Sequence, residues 1–214
     1  PTPAEIAYWG GYFFYHNRLH RNYQDDISLH YYLLASKDGI TIGKRYFKHE
    51  NNKEDYPFSP SGHNLYDNNS KLYYCRDFDN IVYQIHEDSV VPRFRINLPN
   101  PLPASMIEER PNEMSLLRSG YSLGITDIYE YGGLLFFRFV KDGYIWSCLY
   151  NVEESKQVYC AKRIKFLDSS LIDTIDGIYK DCFYSILTPE YLDYAFSENP
   201  LEDYPDLFKT YDVE

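Results

Sequence analysis

The chain has 214 residues, with 21 Lys and Arg against 32 Asp and Glu, so its formal net charge is -11 at pH 7. This acidic balance argues against a nucleic-acid partner, because a phosphate backbone requires a basic surface. The 44% of hydrophobic residues allow a sizeable core, and the 18% of aromatic residues exclude intrinsic disorder. No apolar run approaches the ~20 residues that a transmembrane helix needs.

The ends of the chain show neither a signal peptide nor a structural stop signal. The first residue is Pro1, and no basic segment followed by an apolar one comes after it, so no signal peptide is visible. The chain stops at Glu214 without a structural stop signal. We therefore expect further sequence at one or both ends.

The first third of the chain predicts four short strands. Residues 6–15 alternate in the manner of two strands around Gly10-Gly11, a dipeptide typical of hairpins. Residues 29–36 and 40–47 predict two more, joined by Lys37-Asp38-Gly39, in which the Asp-Gly pair suits a tight turn. Together these strands predict one antiparallel unit.

The middle of the chain repeats this pattern and then changes. Four further strands are predicted at 63–66, 72–78, 81–86 and 90–98. The stretch that follows has weak helical amphipathicity interrupted by Pro111, so we predict one short helical insertion near 103–118.

A third group of strands is predicted between residues 121 and 166. Its turns are Gly132-Gly133, Asp142-Gly143 and the polar segment 152–156. Residues 178–187 predict a last strand or pair of strands, and the acidic tail after residue 196 has room for one short helix.

The groups resemble one another, with a recurrence of about 60 residues. Each begins with an aromatic residue, a turn of small or amide residues and an aromatic-rich strand, and then adds a second hairpin. One four-stranded unit cannot cover both of its own faces, whereas units stacked radially bury them, which is the logic of a β-propeller. The alternative that remains open is a β-sandwich with similar hairpins.

We therefore predict an all-β fold made of propeller blades, each of four antiparallel strands. A single domain is predicted over residues 1–196, followed by an acidic tail at 197–214. Its three full blades are placed near 6–47, 63–98 and 121–166, with a partial blade near 174–192. Since three and a half blades do not close a ring, we expect an incomplete propeller.

Two segments resemble a known family. Residues 71–85, with their Tyr-Tyr pair, Phe78 and Tyr83, and the following residues 91–98 resemble the blade signature of six-bladed β-propeller proteins that are abundant in Bacteroides and its relatives. Those proteins are domains of unknown function that are distantly similar to NHL and TolB propellers. The segment Ile175-Asp176-Gly177, followed by Phe183, is similar to a late segment of that family.

This resemblance implies an extracytoplasmic protein in the periplasm or at the cell surface. In a lipoprotein of this kind the lipid anchor is attached upstream of residue 1. The resemblance supplies no catalytic residues and no cofactor that could be assigned to positions of this chain.

Two polar groups are weak candidates for metal binding. His16 and His20 are four residues apart but follow a predicted strand, so we interpret them as part of a solvated loop. Asp77, Asp79 and Asn80 lack the spacing of a calcium loop and predict a turn held by Asx hydrogen bonds. We predict no metal site.

Cys148 and Cys160 face each other if their hairpin turns symmetrically about Glu154. A cross-strand disulfide is then conceivable in an oxidising compartment, because the Cβ atoms of such a pair come within ~5 Å. The alternative is a pair of buried free thiols.

Four aromatic residues in or beside predicted loops are the candidate ligand-binding residues. Aromatic rings stack on sugars and anchor peptides, and propellers bind partners through loops on one face. The alternative is that these rings pack between blades. The residues are Tyr23, Tyr56, Phe58 and Tyr144.

These observations predict a non-enzymatic protein that binds or scaffolds a glycan, a peptide or a protein. The second hypothesis is a propeller-fold hydrolase or lyase that acts on carbohydrate, since 32 acidic residues could supply a catalytic pair. A deep axial pocket with two convergent titratable groups, or a bound metal, would favour that enzyme. A third hypothesis is a structural component of a surface complex, which would show an apolar outer patch.

Overall fold

The computed structural model describes residues 5–17, 31–48, 60, 63–68, 70–109, 111–162, 175–180 and 182–186. These residues form fourteen strands and two short helices. The elements are β1 (Glu5–Trp9), β2 (Tyr12–His16), β3 (Tyr31–Ser36), β4 (Lys44–Lys48), β5 (Leu65–Asn68), β6 (Lys71–Cys75), β7 (Ile81–Ile85), β8 (Val90–Arg95), α1 (Ala104–Glu108), α2 (Glu113–Leu117), β9 (Ser122–Tyr131), β10 (Leu134–Lys141), β11 (Tyr144–Asn151), β12 (Lys156–Ala161), β13 (Gly177–Tyr179) and β14 (Cys182–Tyr184).

The strands are grouped into sheets that follow the order of the chain. β1–β4 form the first sheet, β5–β8 the second and β9–β12 the third, and every neighbouring pair within them is antiparallel. β13 and β14 form a fourth sheet of two strands. The fold is therefore all-β, with sheets of four antiparallel strands as the sequence predicted.

Successive sheets pack face to face through separate apolar clusters. One cluster lies between the first and second sheets, another between the second and third, and a third between the third and fourth. Tyr73 and Tyr74 show how this arises, because adjacent strand residues point to opposite faces. Tyr73 enters the cluster shared with the third sheet, and Tyr74 enters the one shared with the first.

This succession distinguishes the fold from a β-sandwich, in which two sheets share one interior. The first strands of the sheets also converge, since β5 contacts β1, β9 and β13, and β13 contacts β9. Sheets whose first strands meet while their last strands diverge are arranged radially about a common axis, as in a propeller.

The predicted helical insertion is confirmed as two short helices. α1 and α2 lie between β8 and β9, on either side of Pro111. The side chain of Asn112 accepts a hydrogen bond from the backbone N–H of Ser115 at 2.9 Å and so caps α2.

Two local predictions differ from the structure. β4 begins at Lys44 instead of residue 40, because the carboxylate of Asp38 accepts the backbone N–H groups of Ile40 at 2.9 Å and Thr41 at 2.7 Å and holds them in a turn. The prediction that His16 lies in a solvated loop is wrong. His16 ends β2 and is buried, with Nδ1 3.2 Å from the hydroxyl of Tyr74.

Other predictions fall partly outside the described residues. His20 and the acidic tail at 197–214 lie outside them, as does the predicted end of the partial blade after residue 186. Neither α1 nor α2, the helices of the described residues, has the length and hydropathy needed to cross a bilayer.

Candidate ligand-binding site

A cavity of about 350 Å³ opens where the first strands of the second, third and fourth sheets converge. Its walls come from His63 and β5, from Tyr129 of β9, and from Asp176 and the β13–β14 hairpin that follows it. Six of its lining residues carry a polar or titratable group. They are His63, Tyr66, Asp67, Tyr129, Asp176 and Tyr184.

Two tyrosines in the wall use their hydroxyl groups to join neighbouring sheets. The hydroxyl of Tyr66 lies within hydrogen-bond distance of the carbonyl oxygens of Thr126, at 2.6 Å, and of His63. Tyr129 donates to the carbonyl oxygen of Asp176 at 3.1 Å, and burial raises the pKa of Tyr129. Both hydroxyl groups therefore donate to backbone carbonyl oxygens.

Asp176 fixes the short fourth sheet. Its Oδ2 accepts the backbone N–H of Ile186 at 2.6 Å and the hydroxyl of Ser185 at 3.4 Å. Its own backbone N–H donates to the carbonyl oxygen of Tyr184 at 2.8 Å. These bonds close the β13–β14 hairpin beside the cavity.

Glu5 ties the first sheet to the rim of the cavity. One carboxylate oxygen accepts the backbone N–H groups of Asn64 at 2.6 Å and Leu65 at 2.9 Å. The other lies 3.3 Å from Nδ1 of His63, whose side chain is exposed. The start of β5, which carries Asp67 into the cavity wall, is thus held from the neighbouring sheet.

The electrostatic character of the site is acidic. Asp67 and Asp176 line the cavity, whereas no Lys or Arg is among its described lining residues. The nearby Asp127 is paired with Arg138, whose guanidinium lies 2.8 Å from the Asp127 carboxylate. Burial raises the pKa of Asp127, although Arg138 opposes that effect.

Of the four predicted ligand-binding residues, the structure describes only Tyr144. Tyr144 begins β11 and is exposed, with Nζ of Lys162 3.9 Å from the centre of its ring, but it does not line the cavity. Tyr23, Tyr56 and Phe58 lie outside the described residues. Their role in binding stays a prediction.

The cavity residues themselves were missed by the sequence prediction. Asp67 lies just beyond the strand predicted at 63–66, but the structure includes it in β5. Asp176 appeared only within the segment that resembles the late part of the family. A usable signal exists, because the first strands of the second, third and fourth sheets all contribute residues to the cavity.

The other polar candidates have structural roles in the described residues. Oδ1 of Asp79 accepts the backbone N–H groups of Asn80 at 2.8 Å and Ile81 at 3.1 Å, and Oδ2 pairs with Arg76. These are the Asx hydrogen bonds expected of a turn. Within the described ranges, no group of three or more His, Cys, Asp and Glu residues is placed to hold a metal ion.

Cys148 and Cys160 lie opposite each other in β11 and β12, the register that the hairpin symmetry predicts. A disulfide joins them, with an S–S distance of 2.08 Å. Cys75 is a buried free thiol and Cys182 an exposed one. The oxidation state of the Cys148–Cys160 pair in solution is a separate property that can be measured.

Comparison with known proteins agrees with the fold. A crystal structure of a Bacteroides fragilis protein described as exported superposes with a TM-score of 0.60 at 14% sequence identity, covering 75% of this chain and 46% of that one. The chain thus spans less than half of that protein's length. No curated protein matches the sequence. The family described as "6-bladed beta-propeller" matches residues 7–170, and the chain belongs to this family of six-bladed β-propellers.

Proposed function

We propose that the chain is part of a non-enzymatic extracytoplasmic propeller that binds a glycan, a peptide or a protein at its axis. The observation that carries this proposal is the axial cavity, which three sheets build from their first strands. A concave site with a few convergent polar groups is the usual form of a ligand pocket. Because most of the wall residues lie in strands, and Asp176 is held by hydrogen bonds to Tyr184, Ser185 and Ile186, the site is preorganised.

Topology supports a binding face around this cavity. Most cavity residues lie at the beginnings of β5 and β13 and at the end of β14, and Tyr129 lies toward the end of β9. In an antiparallel meander, the connections β2–β3, β4–β5 and β10–β11 leave from that same edge. The sequence places Tyr23 in the first connection, Tyr56 and Phe58 in the second, and Tyr144 directly after the third.

Location outside the cytoplasm is supported by the similar Bacteroides fragilis protein, which is described as exported. The proposal predicts an export signal in the precursor, with an acylated cysteine if the protein is a lipoprotein. Fractionation of cells that express the complete coding sequence, with globomycin treatment to detect lipoprotein processing, checks both. Recovery of all the protein from the cytoplasm would overturn this part of the proposal.

Binding is tested with an array of neutral, acidic and amino glycans and of short peptides. Tyr184 lines the cavity, whereas Tyr179 lies in the same hairpin and is 65% exposed without lining it. We expect Tyr184→Ala to abolish array signals and Tyr179→Ala to preserve them. Signals that both variants retain, or the absence of any signal, would contradict binding at the axis.

One observation favours the enzymatic alternative, a carbohydrate hydrolase or lyase. The same cavity holds two carboxylates, Asp67 and Asp176, together with the imidazole of His63, and glycoside hydrolysis uses a pair of carboxylates. Release of reducing ends or unsaturated products from a polysaccharide panel tests it. Turnover that Asp67→Asn and Asp176→Asn both abolish would replace the binding proposal with this one.

A further inference from the structure

We infer that the outer face of the first sheet is an interface that receives a further four-stranded sheet of the same polypeptide. The outer face is the side of β1–β4 that points away from the second sheet. It contributes no residue to the axial cavity, so the inference goes beyond the proposed function. It is drawn from a short motif that the three four-stranded sheets share and from a difference in how that motif is buried.

The second strand of each four-stranded sheet carries an apolar residue followed by two aromatic residues. These triplets occupy residues 13–15 in β2, 72–74 in β6 and 135–137 in β10. Each begins directly after the residue that pairs across the hairpin turn, so the three triplets hold the same place in their hairpins. They are therefore equivalent positions, and their surroundings can be compared one by one.

The middle residue of each triplet faces the sheet that follows. Phe14 lies in the cluster between the first and second sheets, and Tyr73 lies in the cluster between the second and third. Phe136 lies in the cluster between the third and fourth sheets. All three rings are buried. Each four-stranded sheet thus presents an aromatic ring to the next sheet.

The first and third residues of the triplets in β6 and β10 face the preceding sheet. Leu72 and Tyr74 are buried in the cluster shared with the first sheet. Leu135 and Phe137 are buried in the cluster shared with the second sheet. At both places, apolar residues at these positions mark a face that another sheet covers.

The first sheet has the same apolar residues at these positions but lacks the cover. Because adjacent strand residues point to opposite faces, Phe13 and Tyr15 lie on the outer face, where both are half-buried. Ile6, which pairs with Tyr15, is 55% exposed. Its equivalents Leu65 and Ile128 are 7% and 0% exposed. The outer face therefore has the composition of a sheet interface and the exposure of a surface.

The family supports the same polypeptide as the source of the covering sheet. Its members are six-bladed, whereas the described residues form three sheets of four strands and one of two. The chain also covers 46% of the similar Bacteroides fragilis protein. Proteins of this kind thus have further sheets. The middle aromatic residue of another triplet is the group that fits against Phe13 and Tyr15, as Phe14 fits against the second sheet.

The complete coding sequence provides the first test. We expect a further four-strand unit outside residues 1–214 whose second strand carries an apolar residue followed by two aromatic residues directly after the hairpin turn. A coding sequence without any such triplet outside these residues would contradict the inference.

Alkylation of one introduced thiol in the complete protein shows whether the face is covered. Ile6→Cys is compared with Glu154→Cys, a change in the exposed β11–β12 turn. Both are made together with Cys182→Ser, since Cys182 is an exposed free thiol. At concentrations where sedimentation shows a monomer, we expect the thiol at position 6 to react at least about tenfold more slowly than the thiol at position 154.

Hydroxyl-radical footprinting of the wild-type complete protein provides a readout that needs no substitution. Phe13 should be oxidised at least about tenfold more slowly than Tyr144, since burial under a further sheet shields its ring. Tyr144 is 54% exposed and begins β11, so it is the matched aromatic control.

The outcomes identify the occupant of the outer face. Equal reaction rates at positions 6 and 154, with oxidation of Phe13 as fast as that of Tyr144, would show a bare face and overturn the inference. Protection that appears only when sedimentation shows a dimer would assign the face to a second copy. Protection that requires an added glycan or peptide would assign it to a ligand, and either result overturns a covering sheet from the same polypeptide.

Discussion

The two interfaces of the second sheet are built differently. Toward the first sheet, the interior contact is mainly aromatic, since the ring of Phe47 stacks on Tyr74 at 5.5 Å and tilts against Tyr83 at 4.5 Å. At the edge of that interface, Glu5 accepts the backbone N–H groups that begin β5. Toward the third sheet, an apolar cluster is accompanied by polar bonds along the first strands, β5 and β9. The side-chain amide of Asn68 bonds to the carbonyl of Ile128 at 3.3 Å and to the N–H of Glu130 at 2.6 Å.

Glu130 is the centre of the interface between the second and third sheets, here called the second interface. Its carboxylate receives Lys71 at 2.8 Å, Arg93 at 3.0 Å and the hydroxyl of Tyr73, all from the second sheet. Aromatic packing tolerates small shifts, whereas directed hydrogen bonds set the spacing of the first strands. The comparison teaches that directed bonds hold β5 from both sides, from Glu5 at its start and from β9 along its length, and that the interface with the third sheet adds the charged network of Glu130.

The largest expected effects come from the two tyrosines that enter the two interfaces. Tyr73→Ala and Tyr74→Ala each remove a fully buried ring, so each should lower the free energy of unfolding by about 3–5 kcal/mol in urea denaturation. We also expect Tyr73→Ala to weaken ligand binding more than Tyr74→Ala, since only Tyr73 contacts Glu130. Equal loss of binding in both variants would remove the distinction between the interfaces.

The disulfide borders the second interface, and its loss has the next largest expected effect on the free energy of unfolding. Reduction of Cys148–Cys160, or the double change to Ser, should lower the free energy of unfolding by about 2–3 kcal/mol, because a short loop in the unfolded chain is released. Alkylation of the unfolded, unreduced protein followed by mass measurement should label two cysteines, Cys75 and Cys182. Four labelled cysteines would show that the pair is reduced in solution.

Glu130→Gln should lower the free energy of unfolding by about 2 kcal/mol, because two cations and one hydroxyl lose their charged acceptor. The matched control is Glu154→Gln, in which an exposed carboxylate changes in the same way and the expected effect is within about 0.5 kcal/mol. Thermal and urea denaturation of both variants provide the measurement. Similar values for the two variants would show that Glu130 does not organise the interface.

The smallest expected effect is the pH dependence of the stability difference between wild type and Glu130→Gln. Burial alone would raise the pKa of Glu130, but hydrogen bonds from Lys71, Tyr73 and Arg93 outweigh it, and the pKa is lowered from 4.5. A lowered pKa stabilises the fold above pH 4.5, and this contribution is lost as the pH falls through the folded-state value. The stability difference between wild type and Glu130→Gln should therefore shrink below pH 4.5, and a difference that grows on acidification would contradict this assignment.

Much of the fold could be predicted because its signals are local. Gly10-Gly11 and Gly132-Gly133 mark hairpins, and alternation of apolar residues marks strands such as β7 and β10. The repetition of such units then indicated radial packing. The late start of β4 was not predictable from alternation, since a side chain, Asp38, competes with the sheet for backbone N–H groups.

The site was less predictable because it is assembled from residues far apart in sequence. Asp67 and Asp176 meet at the cavity only because each lies on the first strand of its sheet or directly before it. Glu130 acts through three partners on two other strands, and neither its spacing nor its neighbours distinguish it from the other acidic residues. The burial of His16 likewise depends on a tyrosine 58 residues away.

Hydrogen–deuterium exchange of the chain with and without a glycan or peptide that the array identifies tests the axial site most directly. Binding at the axis should slow exchange at the start of β5 and in the β13–β14 hairpin, around residues 63–67 and 176–184, and Asp67→Asn should reduce that protection. Protection confined to segments away from these strands, or unchanged in Asp67→Asn, would contradict a ligand site at the convergence of the sheets.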